Sequence, residues 1–358
     1  MPLFTICKSE FRRATKEFSQ VEIETIIEDS LLNVRAIEIA NNKLWFAGSN
    51  GETGYWNIED NDASVGESKI FDKMADISHS TRGVRFRQMN SDTSGYELRA
   101  IAKIYDKYFV LTTGSPAILT KYDSLGKKIV YQENHLKAFY DSMGFWNDLE
   151  GIAIGDPTDG CMSIIITRDG GETWAKLPCE QLPKSEEGEA AFAASDTNIA
   201  IVGNNTWVAT GGKTSRILFS PDKGKSWSVY STPAVQGLET TGIYSIDFYD
   251  TLNGFAIGGD YTKPELNVAN KIRTTDGGKT WYVVATNKNP GYRSCVQYVP
   301  QGAGKELVAI GFLGIDYSND AGETWKHLSD EGFYTIRFLN DSIAYAAGKG
   351  RICKLKFK

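Results

Sequence analysis

Thr274-Thr275-Asp276-Gly277-Gly278-Lys279-Thr280-Trp281 is one of four stretches of this 358-residue chain written in a single pattern. The others are Thr167-Arg168-Asp169-Gly170-Gly171-Glu172-Thr173-Trp174, Ser220-Pro221-Asp222-Lys223-Gly224-Lys225-Ser226-Trp227 and Ser318-Asn319-Asp320-Ala321-Gly322-Glu323-Thr324-Trp325. The shared form is S/T-x-D-x-G-x-S/T-W, with Asp-to-Asp spacings of 53, 54 and 44 residues. It describes a folded hairpin turn. Asp and Ser/Thr side chains bond amides within the loop, Gly supplies positive φ, and Trp opens the next strand and packs between neighbouring sheets. Repetition at this period signals a repeat architecture.

The turn is the Asp box, or BNR repeat, which occurs in proteins of unrelated activity. Asp169, Asp222, Asp276 and Asp320, with Trp174, Trp227, Trp281 and Trp325, are therefore read as structural residues. A second repeat, an apolar strand ending in glycine, recurs at Gly48, Gly114, Gly155, Gly211, Gly258, Gly311 and Gly348, with a mean gap of 50 residues. That length suits a four-stranded propeller blade. The expected fold is all-β: a seven-bladed β-propeller with Asp-box turns, in which residues 20–27 form a strand that closes the last blade. We expect a flexible N-terminal segment over residues 1–19 and one propeller over residues 20–358, with an insertion near residues 60–82 where the glycine gap is widest.

Composition narrows the function. Hydrophobic residues make up 41% and charged residues 23%, a globular balance. No apolar run reaches the length of a spanning helix. A net charge of −6 without a basic stripe argues against nucleic acid. Cys7, Cys161, Cys179, Cys295 and Cys353 show no C-x-x-C spacing, and the three histidines are far apart. We therefore expect no zinc site, no disulfide framework, no metal and no cofactor. Cys7 followed by a polar stretch resembles the start of a bacterial lipoprotein, although Ile6 departs from the small residue expected there. It suggests a cell-envelope or periplasmic location.

Aligning the strands that begin each blade yields the candidate site. The starts are Val34-Arg35-Ala36-Ile37, Leu98-Arg99-Ala100-Ile101, Tyr140-Asp141-Ser142-Met143, Gly188-Glu189-Ala190-Ala191, Ile243-Tyr244-Ser245-Ile246, Tyr292-Arg293-Ser294-Cys295 and Phe333-Tyr334-Thr335-Ile336. The third column is uniformly small, as a crowded central channel requires. The second column is polar or aromatic: Arg35, Arg99, Asp141, Glu189, Tyr244, Arg293 and Tyr334. It shares a face with loops carrying Asp156, Asp260 and Tyr261, opposite the Asp boxes. Two readings are open: a structural ring of Arg–carboxylate pairs plugging the channel, or a pocket for an anion, a sugar acid or a peptide carboxylate held by arginine. A catalytic version would use Glu189 with Asp141 or Asp156 as a carboxylate pair.

The stretches Gly151-Ile-Ala-Ile-Gly-Asp-Pro-Thr-Asp-Gly160, Gly188-Glu-Ala-Ala-Phe-Ala-Ala-Ser195, Gly258-Gly-Asp-Tyr261, Pro290-Gly-Tyr-Arg-Ser294 and Asp316-Tyr-Ser318 resemble bacterial Asp-box propellers similar to the photosystem II stability/assembly factor, in their non-photosynthetic versions. The resemblance implies seven blades and, from the photosynthetic members, binding of a protein partner. Some relatives carry the names oxidoreductase or glycosyl hydrolase. No dinucleotide, haem or flavin motif supports the first. Sialidases are also Asp-box propellers with an arginine clamp, but this chain lacks their F/Y-R-I-P motif at Asn33-Val34-Arg35-Ala36, and they usually have six blades. The expectation is a monomeric binding or assembly module that takes a protein partner or a small anionic or carbohydrate ligand. Its ligand residues would be Arg35, Arg99, Arg293, Tyr244, Tyr334, Asp260 and Tyr261. The alternative is a carbohydrate-active enzyme working from the same face.

Overall fold

A computed structural model describes residues 15–58, 84–88 and 96–358. Among these residues the regular elements are strands and short 3-10 turns, with no α-helix. Each strand pairs antiparallel with its neighbours. The innermost strands pack in sequence order, from Val21–Ala40 through Leu98–Ile104, Tyr140–Phe145, Ile199–Val202, Thr241–Phe248 and Cys295–Tyr298 to Thr335–Phe338, which returns to Val21–Ala40. The closed ring is a β-propeller.

Among the described residues the sheets number six, where the glycine repeat led us to expect seven separate blades. The difference lies in one strand. Val21–Ala40 runs for 20 residues. Its first part pairs with Lys349–Phe357, from Val21 opposite Phe357 to Glu28 opposite Arg351. Its second part, Val34 to Ala40, pairs with Lys43–Gly48. The first and last groups of strands thereby merge into one seven-stranded sheet, and the N-terminal strand ties the two ends of the chain together.

Within residues 15–19, part of the N-terminal segment expected to be flexible, one side chain is anchored. Phe18 is buried against Tyr317 and Phe357, with ring centroids 4.8 and 5.3 Å away, and Ser19 N donates to Lys358 O at 2.6 Å. The expected insertion at 60–82 lies outside the described residues.

Both faces of each sheet are covered, so the second strands read as apolar runs rather than alternating ones. Ile152, Ile154 and Ile164 meet Val208 and Leu218 of the next sheet, and Phe255 and Ile257 meet Val296 and Leu307. The four S/T-x-D-x-G-x-S/T-W turns share one bonding scheme. In the third, Asp276 Oδ1 accepts from Thr280 N at 3.0 Å and Oδ2 from Thr280 Oγ1 at 2.6 Å, while Thr274 Oγ1 accepts from Gly278 N at 3.0 Å. Asp169, Asp222 and Asp320 repeat it. Burial acts to raise these four carboxyls, but the hydrogen bonds win and hold them below the ordinary aspartate range.

The turn glycine has a second duty. A Cβ on Gly322, at φ +86°, would lie 2.2 Å from the Phe255 ring of the preceding sheet, and one on Gly171 would lie 2.3 Å from Phe109. Trp325 and Trp174 then pack on the same rings, at 5.7 and 6.2 Å. Each turn is thus a staple between consecutive sheets.

The cysteines need a correction. Cys161 and Cys179, expected to be isolated, form a disulfide across 18 residues of sequence. Cys161 opens a third strand and Cys179 follows the short strand after the repeated turn. The hairpin fold therefore brings together two thiols whose spacing carries no motif.

Candidate binding face at the channel mouth

The centre of the ring is filled by main chain. The sequence reading placed the start of the fourth inner strand at Gly188-Glu189-Ala190-Ala191. Instead, Glu189–Ala190 pairs with Gly211–Gly212, the inner strand proper is Ile199–Val202, and the residues between them cross the axis. Small residues at 191, 193, 194 and 195 permit the crossing.

The segment is bonded to every other inner strand. Arg35 Nη1 donates to Ala194 O at 3.3 Å and Arg99 Nη1 to Ala193 O at 2.9 Å. The Asp196 carboxylate accepts from Ile101 N and Met143 N, both at 3.1 Å. Ile246 N donates to Thr197 O at 2.8 Å, Ser195 Oγ to Ser294 O at 2.6 Å, and Thr335 Oγ1 to Ser195 O at 2.8 Å. Arg337 Nη2 donates to Asp196 O at 3.0 Å. The channel is therefore plugged by a loop.

Above this plug the predicted residues separate into two groups. Arg35, Arg99, Tyr244, Tyr261 and Tyr334 gather at the mouth. The Arg35 guanidinium lies 3.8 Å over the Tyr334 ring. Burial lowers its pKa, and the neighbouring Arg99 lowers it further, while Tyr334, Tyr292 and Glu97 oppose the shift. Arg99 is ion-paired with the half-exposed Glu97. Among the described residues, Arg35 has no carboxylate partner. Tyr244 stacks on Phe192 at 4.0 Å, and its hydroxyl donates to Thr240 O at 2.9 Å.

The remaining candidates are occupied or sealed. Arg293 is buried and donates to Asp316 through Nε at 2.7 Å and Nη2 at 2.6 Å, and Asp316 is also gripped by His327 Nδ1 at 3.0 Å. Asp260 accepts from Thr262 N at 2.9 Å and Thr262 Oγ1 at 2.7 Å. Glu189 is held by Arg216 at 2.6 Å and by Thr210 Oγ1 at 2.7 Å. Asp141 is 0% exposed, and among the described residues neither carboxyl oxygen has a donor. Burial, then nearby Asp156, push its pKa well up against the opposing pull of Arg99. Asp156 is pushed up to about 6 by burial, although Ala191 N donates to it at 2.7 Å.

Three contributors were not legible in the strand alignment. Phe192 and Phe312 arise from irregular loops. Buried Lys271 donates to Asn270 Oδ1, Lys288 O and Pro290 O at 2.8, 3.0 and 2.6 Å, and so pins the loop that delivers Tyr292 and Arg293. Burial, then Arg293, press its pKa down to about 7. The signal available in the sequence was Lys271, three residues before a repeated turn, where the other three turns have Ile164, Ile217 and Ile315.

The fold and this mouth define the chain as a β-propeller with a plugged axis and a cationic, aromatic face. No protein-family model matches the chain, and no curated protein matches it in sequence. Among solved structures it is similar over nearly its whole length to "YCF48 bound to D1 peptide", with TM-score 0.63, 13% identity, and coverage of 96% of this chain and 98% of that one. It is likewise similar to YCF48 from Cyanidioschyzon merolae, at TM-score 0.64 and 12% identity over 94% of this chain and 99% of that one. The RRP9 WD40 repeats align at TM-score 0.61 and 9% identity over 96% of this chain and 100% of theirs. At these identities the likeness is one of fold.

Proposed function

We propose that this protein is a binding or assembly module of the Asp-box propeller type, and that its mouth holds an acidic group of a protein partner on Arg35 with Arg99 beside it. The observation that carries the reading is Arg35: a guanidinium at the mouth, next to a second arginine, with a carbonyl and a ring as partners but no carboxylate among the described residues. Such a cation favours an incoming carboxylate because the attraction needs no existing ion pair to break. A YCF48 structure with bound D1 peptide, similar in fold, supports a peptide as the kind of ligand.

The carbohydrate-active alternative is less well supported. Its proposed acid, Glu189, is neutralised by Arg216, and Asp141 is sealed from solvent. The Cys161–Cys179 disulfide favours an oxidising compartment such as the bacterial periplasm.

Titration calorimetry with acidic and neutral peptides of equal length tests the proposal. Acidic peptides should bind more tightly, lose affinity with added salt, and lose their advantage in Arg35→Gln. Equal binding of both sets, unchanged by that substitution, would refute it.

A further inference from the structure

We infer that the partner segment carries an aromatic side chain beside its carboxylate, an inference that rests on the reading of Arg35 and Arg99 as anion-binding residues. A wall of rings stands next to these arginines. Phe192 lies face to face on Tyr244 at 4.0 Å, Tyr292 meets Tyr244 edge-on at 4.9 Å, and Phe312 packs on Tyr292 at 5.4 Å. Tyr261 stands 6.3 Å from Tyr244 and 6.5 Å from Tyr292.

The wall has a buried base and an exposed rim. Tyr244 and Tyr292 are sealed, whereas Tyr261 is 48% and Phe312 40% exposed. Both rim rings therefore border Tyr292, and Tyr292 is also among the groups that act electrostatically on Arg35. Arg35 and the two rim rings thus flank the same buried ring, Tyr292.

Two features of that surface select the occupant. The ring faces favour a flat, apolar guest, and rigid aromatic side chains lose little conformational freedom on contact. The Arg35–Arg99 pair, offset only by Glu97, attracts negative charge. A segment with a ring and an acid on adjacent or nearby residues meets both demands. A neutral sugar meets only the first, and a purely acidic tail only the second.

The test is fluorescence anisotropy with the labelled peptide acetyl-Gly-Phe-Glu-Phe-Gly-amide, and with versions in which Glu is replaced by Gln or both Phe by Ser. The proteins are the full chain and its Arg35→Gln, Tyr261→Ser and Phe312→Ser variants. The two rim positions are exposed enough to be replaced without opening the core. The parent peptide should bind the unmodified protein best, and each rim variant should weaken it about ten-fold, the usual size for losing one aromatic contact at an interface. The rim variants should also stop distinguishing Phe from Ser.

If both rim variants keep full affinity and selectivity while Arg35→Gln loses binding, the aromatic inference fails and the arginine reading stands. If no acidic peptide binds the unmodified protein, both fail. Binding of a neutral oligosaccharide, lost in Tyr261→Ser and without any peptide binding, would overturn the inference in favour of a sugar.

Discussion

Replacing Asp196 by alanine should loosen the ring at its centre. The carboxylate accepts from the amides of Ile101 and Met143, which belong to two different inner strands, at 3.1 Å each. Alanine leaves two buried N–H groups without partners, and each costs about 1–3 kcal/mol. Part of that loss is returned, because burial already pushes the Asp196 carboxyl well above its ordinary range and its removal relieves this strain. The net destabilisation should be about 3 kcal/mol. Asp196→Asn keeps one acceptor oxygen and turns an amide NH₂ towards the other strand, so it should cost roughly half as much. Urea unfolding followed by tryptophan fluorescence measures the totals. Amide hydrogen exchange at Ile101 and Met143 localises them, and protection there should fall further than at strand amides remote from the axis. A loss below about 1 kcal/mol, or unchanged exchange at both amides, would show that the loop across the axis does not hold the ring together.

The repeated turns, the disulfide and the buried acids make further predictions. Asp276→Ala removes the acceptor for Thr280 N, Thr280 Oγ1 and Lys279 N and should cost about 2 kcal/mol, against about 1 for Thr280→Ala; equal losses in chemical denaturation would contradict this bonding scheme. Gly322→Ala combines positive φ with a clash on Phe255, whereas Gly160→Ala has positive φ and open space, so the first should lower the melting temperature clearly more than the second. Cys161→Ser opens a crosslink spanning 18 residues and should cost about 3 kcal/mol; an unshifted melting curve under reducing conditions would argue against the bond. Asp156 and Asp247 sit at about 6 in the fold, against 3.8 as their ordinary value. Their burial therefore costs stability above about pH 6, and that cost is relieved as pH falls towards 4. The turn aspartates are shifted the other way, so their contribution disappears below about pH 4. Stability should accordingly peak between roughly pH 4 and 6, and a monotonic rise to pH 8 would be inconsistent with those shifts.

How much was legible follows from what is local. The turns were readable because Asp, Gly and Ser/Thr act within eight residues of one another, and their chemistry is complete in the sequence. The ring-closing strand was readable as an alternating pattern at 20–27, and the structure pairs Val21 to Glu28 with the C-terminal strand. The sheet count was not, because only pairing along the whole of Val21–Ala40 reveals that one strand serves two groups. The Cys161–Cys179 bond depends on a hairpin bringing distant thiols together, and no spacing rule encodes it. The fourth strand start misled for a similar reason. Gly188-Glu189-Ala190-Ala191 has the right residue sizes, yet the chain departs from the ladder there to cross the axis. The polar column predicted charge at the mouth but could not say which charges were already taken. Arg293 and Arg35 occupy equivalent places in the alignment, and only the fold supplies Asp316 to one of them.

That difference decides which arginine can be recruited. Drawing Arg293 onto a ligand would break two short charge-assisted bonds to buried Asp316 and leave that carboxylate to His327, a loss that ligand contacts seldom recover. Arg35 gives up only a 3.3 Å bond to Ala194 O, and it keeps the Tyr334 ring beneath it. Ala194 is part of the loop that fills the axis, so the same segment that closes the channel also sets the height at which Arg35 is presented. On the proposed reading, a ligand at the mouth would therefore meet a cation fixed by the core of the fold and, among the described residues, not paired with a carboxylate, and the plug, by filling the axis, would confine that binding to the outer surface.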